Sequence, residues 1–259
     1  MSLSQATKLS LTSVLKASLI RKMQGYHPEA SYMPFHTRLL GKDRLALYSF
    51  IHSLNTNFGT TIFEPIAKEL GDINFVSATS QQVSGKHISS EAHKAIQTIM
   101  DNLSTANAEP NKTLEIETIR KVCTQGTMVA VKPTKVDVKL ISKSGTIYLI
   151  DIKTAKPNAG GFKEFKRTLL EWVAATLADD PKADIHTLIA IPYNPYEPAP
   201  YSRWTMRGML DLDQELKVAS EFWDFLGGNG TYQDLLDIFE KVGIELRSEI
   251  DAYFSRFVR

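Results

Sequence analysis

Residues Pro133 to Arg167 read PTKVDVKLISKSGTIYLIDIKTAKPNAGGFKEFKR. Apolar and polar residues alternate on either side of Ser144-Gly145, which predicts a β-hairpin with strands near Val136 to Ile141 and Thr146 to Lys153. Side chains on a strand repeat every two residues, so Asp151 and Lys153 share one face and Ile150 and Ile152 the other. Asp137 stands at the start of the partner strand, with Val136 and Val138 facing away from it. Such a hairpin gathers two carboxylates and one amine, the set that metal-dependent phosphodiester hydrolysis requires.

The residue types follow from that chemistry. Mg2+ is a hard ion that takes oxygen ligands, commonly one or two carboxylates with water and phosphate oxygens completing the shell. Asp137 and Asp151 supply the carboxylates and the backbone carbonyl of Ile152 a third oxygen. The ion lowers the pKa of bound water and offsets charge on the phosphate. Lys153 orients or helps to deprotonate the attacking water and adds positive charge at the scissile phosphate. The same Asp-x-Lys also reads as an ordinary charged strand face. Pro133, Asp137 and the apolar run Ile147 to Ile150 favour the site, because they put charges at the tip of a buried element.

These residues resemble the PD-(D/E)xK nuclease motif, spaced here as P-x3-D-x13-D-I-K, with Val136 where the pattern usually has its proline. Three further runs extend the likeness. SLNTNFGTTIFEPIAKELG, from Ser53 to Gly71, resembles the N-terminal helical segment of type II restriction endonucleases of the TdeIII type. RWTMRG, from Arg203 to Gly208, and SEFWDFLGG, from Ser220 to Gly228, resemble their C-terminal half. The resemblance implies a Mg2+-dependent enzyme, with Mn2+ as substitute, that cuts double-stranded DNA at GGNCC or a longer site containing it. It also implies an α/β (α+β) core with a mixed central sheet flanked by helices and helical additions at both ends. A cognate DNA methyltransferase acting on the same site is the expected functional companion.

Composition sets the outer bounds. A chain of 259 residues with 43% hydrophobic content can form one sizeable core, read here as a single catalytic unit. It divides into a mainly helical part (1–125), the nuclease core (126–200) and a recognition and helical part (201–259). Cys123 alone excludes an internal disulfide and a cysteine-rich zinc site, and fits a reducing cytoplasm. No apolar run is long enough to span a bilayer. Net charge is only +1, but Lys132 to Arg167 holds nine basic residues against three acidic, and Asp211 to Arg259 five against eleven. The concentrated positive zone suits phosphate binding, although solvated lysine faces have the same composition.

Along the chain, Ser4 to Met23 and Lys42 to Asn55 read as helices, with Lys8, Lys16, Arg21 and Lys22 on the first. Asn57 to Thr61 reads as a turn, with Thr60 or Thr61 capping a helix that carries Glu64. Glu64 is a candidate metal ligand, direct or through water, and its place in a first helical turn also suits the helix dipole. Ser77 to Ser90 reads as a polar loop without the GxxxxGK[ST] phosphate-binding pattern. Helices follow at Ser90 to Leu103, in a helical or mixed stretch from Glu115 to Cys123, and at Gly161 to Leu177. Ile185 to Ile191 reads as a central strand.

Lys156, Lys163, Lys166 and Arg167 are placed to hold the DNA backbone. Arg203 and Arg207 are candidates for reading guanine, since the guanidinium fork matches O6 and N7; surface ion pairing accounts for them equally. A palindromic site is read most simply by a homodimer. Two other functions stay open at this stage: a structure-specific repair or recombination nuclease, and a DNA-binding protein of this fold that does not cut.

Overall fold

The computed structural model describes residues 3–25, 33–153, 161–202 and 204–255. Contacts divide the chain into two compact units, Met1–Ile66 with Gly228–Arg259, and Ala67–Gly227. The breaks fall at residues 66/67 and 227/228, so both ends of the chain contribute to one unit.

The unit of the chain ends contains α1 (Gln5–Gly25), α2 (Pro34–Leu40), α3 (Lys42–Phe58), a π-helical turn (Gly59–Phe63) and the start of α4 (Glu64–Asn74). α10 (Thr231–Glu245) and α11 (Arg247–Ser255) complete its described part. Leu11, Leu15 and Met23 of α1 are buried. Lys8 pairs with Asp234 at 2.5 Å and Lys16 with Glu245, fastening α1 to α10. Phe50 and Tyr253, with ring centroids 5.3 Å apart, join α3 to α11.

The turn expected at Asn57 to Thr61 does not form, because the chain stays helical into α4. Pro65 explains the widened turn. A proline inside an α-helix lacks the amide hydrogen and presses on the carbonyl four residues back, here that of Thr61. A π turn relaxes that contact, and the Glu64 amide donates to the Gly59 carbonyl, five residues back.

The second unit is built on a mixed sheet. Its elements are β1 (Ser77–Val83), β2 (His87–Ser89), α5 (Ser90–Ser104), α6 (Lys112–Arg120), β3 (Met128–Ala130), β4 (Lys135–Ile141) and β5 (Ile147–Ile152). α7 (Phe162–Asp179), β6 (Ile185–Ile191), α8 (Trp204–Arg207), β7 (Leu216–Val218) and α9 (Ser220–Gly227) follow. The sheet order is β1-β4-β5-β6-β7, with β2 and β3 forming a separate pair. β4 runs antiparallel to both β1 and β5, and β5, β6 and β7 are parallel. The fold is a mixed α/β sheet flanked by helices, as the sequence implied.

The β4–β5 hairpin turns at Gly145, whose φ of +88° is cheap only without a side chain. β5 is buried from Leu149 through Ile152 rather than on alternate residues, since it has a strand on each side and helices on both faces. On one face Tyr148 meets Phe75 and Phe225, at centroid distances of 6.2 and 5.1 Å. α4 approaches the same face closely: a Cβ at Gly71 would lie 2.6 Å from Leu140 Cδ2. On the other face lies α7, where the Thr187 hydroxyl donates to the Leu169 carbonyl at 3.2 Å.

The segment Ser77 to Ser90 is not a loop. It supplies the edge strand β1 and the short β2, whose polar residues suit an edge bordered by water. Two helix starts are capped by side chains. Ser89 Oγ accepts from the Ala92 amide at 3.0 Å, and Asn111 Oδ1 accepts from the Leu114 amide at 2.9 Å.

α6, α7 and the approach to β7 are joined by four buried charges. Lys166 Nζ donates to Glu115 and Glu215 at 2.5 and 2.6 Å, and Lys112 Nζ to Glu215 at 2.8 Å. The Asp211 amide adds a bond to Glu215 at 3.0 Å. Burial pushes the Lys112 ammonium below the usual lysine range and the Glu115 carboxyl above the usual carboxylate range. Burial also acts upward on Glu215, but Lys112 and Lys166 outweigh it and hold that carboxyl below its usual range.

Lys166 therefore cannot hold the DNA backbone: its side chain is 0% exposed and bonded to two glutamates. Removing one member of a buried ionic set strands the rest, at a cost of about 3–5 kcal/mol. Lys166→Met should lower unfolding stability in urea by about that much. Lys163→Met, three residues earlier on an exposed position, should change it by no more than about 0.5 kcal/mol.

Candidate active site

The site forms where β4 and β5 part company. Their register descends from Ile141↔Ile147 to Val138↔Ile150 and ends there, while β4 continues to Lys135 paired with β1. One rung further, the same count puts Asp137 opposite Asp151. Directly opposed residues of an antiparallel pair lie on one face, so both carboxylates face the α7 side. The Ile152 amide, pointing toward β4 past the last rung, donates to Asp137 Oδ2 at 2.8 Å. The carbonyl of Ile152 is directed to the same side as its amide.

Asp151 is 7% exposed. Its Oδ1 lies 2.8 Å from Lys153 Nζ, and that ammonium stands 4.7 Å from the centroid of the Phe165 ring. Attraction between a cation and the face of an aromatic ring adds to the ion pair. The Lys153 amide donates to the Ala190 carbonyl at 2.9 Å, so its backbone is fixed by the parallel neighbour β6. Phe165 depends on Gly161 one helical turn before it, where a Cβ would stand 2.9 Å from the Phe165 ring. The sequence gave no sign of the contact between Phe165 and Lys153; the Gly161-Phe165 spacing of four is the available trace.

The hairpin thus brings together Asp137, Asp151, Lys153 and the Ile152 backbone. The donors are all oxygens, which suits a hard divalent ion. Among the described residues no three His, Cys, Asp or Glu side chains form a metal-binding group. Glu64 is buried at the start of α4, in the unit of the chain ends.

The positive residues are spread differently from their closeness in sequence. Lys163 is exposed on the first turn of α7 and Arg207 is exposed at the end of α8. Arg167 is half-buried and donates to Gln97 of α5 at 2.8 Å. Lys156 and Arg203 lie outside the described residues. No described helix is long and apolar enough to cross a membrane.

Comparison with known proteins agrees with this architecture. The chain is 25% identical over 245 residues to the type II restriction enzyme HgiCII of Herpetosiphon aurantiacus, covering 89% of this chain and 88% of that protein. It is 24% identical over 249 residues to HgiEI of the same organism, covering 92% and 89% of the two chains. With the type II restriction enzyme MjaII of Methanocaldococcus jannaschii it shares 25% identity over 210 residues, 76% of this chain and 55% of that one. Residues 3–243 match the HinfI type II restriction endonuclease family. A match over nearly the whole chain, on a mixed sheet flanked by helices, establishes that the protein belongs to the HinfI family of type II restriction endonucleases, enzymes that cut DNA at specific sites.

Proposed function

We propose that this endonuclease hydrolyses phosphodiester bonds in both strands of DNA at a short palindromic site, GGNCC or a longer site containing it. The active site in this reading is of the PD-(D/E)xK type, with Asp137, Asp151 and the Ile152 carbonyl holding Mg2+ and Mn2+ as a substitute. The observation that carries it is the Ile152 amide bonded to Asp137 Oδ2 at 2.8 Å, next to Asp151, with Lys153 bonded to Asp151 at 2.8 Å. When bound, the ion lowers the pKa of a coordinated water and offsets charge on the phosphate.

The protein's own groups do the rest. Asp137 is held by the Ile152 amide, so its carboxylate keeps one orientation. Lys153 orients the attacking water and brings positive charge to the scissile phosphate, while the Phe165 ring limits its wandering. Lys156, Lys163 and Arg167 hold the DNA backbone, and Arg203 and Arg207 read guanine. The site sequence rests on the resemblance to the TdeIII type. A DNA methyltransferase acting on the same site would protect the host DNA, and one buried cysteine, Cys123, suits a cytoplasmic enzyme.

A palindrome read by two copies calls for a dimer. Phe35 and Leu39 on α2 are 84% and 82% exposed, and Leu47, Tyr48 and Ile51 on α3 are also exposed. A monomer rarely leaves more than a few hundred Å² of apolar surface together, whereas a standard interface takes about 800 Å² from each partner. These exposed apolar residues of α2 and α3 are our assignment for the contact between copies.

Plasmid digestion with Mg2+, followed by sequencing of the fragment ends, tests the reading. Discrete fragments with one common end sequence support it; random or junction-confined cuts oppose it. Asp137→Asn, Asp151→Asn and Lys153→Ala should each slow cleavage on the order of 10²–10³-fold or more while DNA binding persists. In analytical ultracentrifugation, Phe35→Glu with Leu39→Lys should shift dimer to monomer, and an unchanged dimer would remove that face from consideration.

A further inference from the structure

We propose that Gln81 is a positioning residue of the active site, acting through Asp137. The inference rests on the reading of Asp137 as a metal ligand. β1 pairs with β4 at Ser80↔Val138 and Gln82↔Val136, and the rung between them sets Gln81 opposite Asp137. That rung is missing from an otherwise continuous ladder of six pairs. Gln81 has a φ of +55°, in the left-handed region, within a strand whose flanking residues stay in register.

A residue with a side chain avoids this conformation, and in the middle of a strand it survives only where the surroundings impose it. Glycine would remove the conflict at once. Glutamine there therefore points to a use for its side chain. Strained residues gather where a fixed geometry is needed for function, and this one lies across from a candidate metal ligand. β1 is the edge strand, so Gln81 is half-buried at the border of the site.

The chemistry of the amide defines the role. Asp137 Oδ2 accepts from the Ile152 amide, on the β5 side of β4. Gln81 approaches from the β1 side and carries two N–H donors and one acceptor. A donor there steadies the other half of the carboxylate. Outer partners of this kind orient a ligand, and their loss typically weakens metal binding or activity 10–100-fold.

The test compares Gln81→Gly, Gln81→Asn and wild type in the full chain. Urea unfolding without metal reads the strain, calorimetric titration with Mn2+ reads the site, and plasmid cleavage over a range of Mg2+ separates ion affinity from maximal rate. Gln81→Gly should unfold at a higher urea concentration yet bind Mn2+ on the order of 10–100-fold more weakly and need more Mg2+ for half-maximal cleavage. Gln81→Asn keeps the amide and tolerates the left-handed region, so it should recover part of the loss. Wild-type ion binding and cleavage in Gln81→Gly would overturn the proposal, as would a lower unfolding midpoint. Wild type that neither binds Mn2+ nor cuts DNA would instead overturn the reading of Asp137 on which it stands.

Discussion

The Ile152 amide hydrogen reaches β4 where the backbone ladder has ended, and the carboxylate of Asp137 accepts it. An unpaired amide at the buried end of β5 would cost roughly as much as a lost hydrogen bond, so the strands can part only because this side chain replaces the missing carbonyl. That substitution couples the end of the sheet to the site. It fixes Asp137, sets the carbonyl of Ile152 toward the same gap, and leaves Asp151 and Lys153 beyond the last rung. β6 holds β5 from the opposite side, through Asp151↔Ile189 and Ile152↔Ala190.

Legibility in the sequence followed how local each cause was. The β4–β5 hairpin could be read because its alternation, its Ser144-Gly145 turn and its charged tip lie within about twenty residues of one another. α5 and α7 could be read over nearly their whole length, as Ser90 to Leu103 and Gly161 to Leu177. β1 could not be read: Ser77, Ser80, Gln81 and Gln82 have little strand character of their own, and the strand pairs along the edge that β4 offers it. The same holds for β7, three residues long and, among the described residues, paired with β6 alone. Lys166 was misread for the opposite reason, since its partners Glu115 and Glu215 are 51 and 49 residues away and no local pattern distinguishes a buried lysine from a solvated one.

α7 shows how one helix serves two requirements on adjacent residues. Phe165 turns its ring to Lys153, and Lys166 enters the buried set with Lys112, Glu115 and Glu215. Successive residues on a helix point about 100° apart, so the two contacts do not compete. The ionic set anchors the helix beside β7, and Gly161 lets the Phe165 ring settle at its first turn. A helix that carries part of the site's lining is thereby held by bonds that do not involve the site.

Charge balance gives the arrangement its sense. The buried set holds two lysines and two glutamates, formally neutral, so it adds no net charge beside the neighbouring site. At the site itself Asp137 and Asp151 outweigh Lys153 by one negative charge, an arrangement that alone would repel a phosphodiester. In the proposed reaction the divalent ion turns that balance to one positive charge, opposite to a single DNA phosphate. Had Lys166 been free to face the site, the three side chains and Lys166 would already have balanced without an ion, and the requirement for metal at the point of cleavage would have been weaker. Burying Lys166 with two glutamates keeps its charge away from the negative pair, which in the proposed reaction receives the cation before the phosphate.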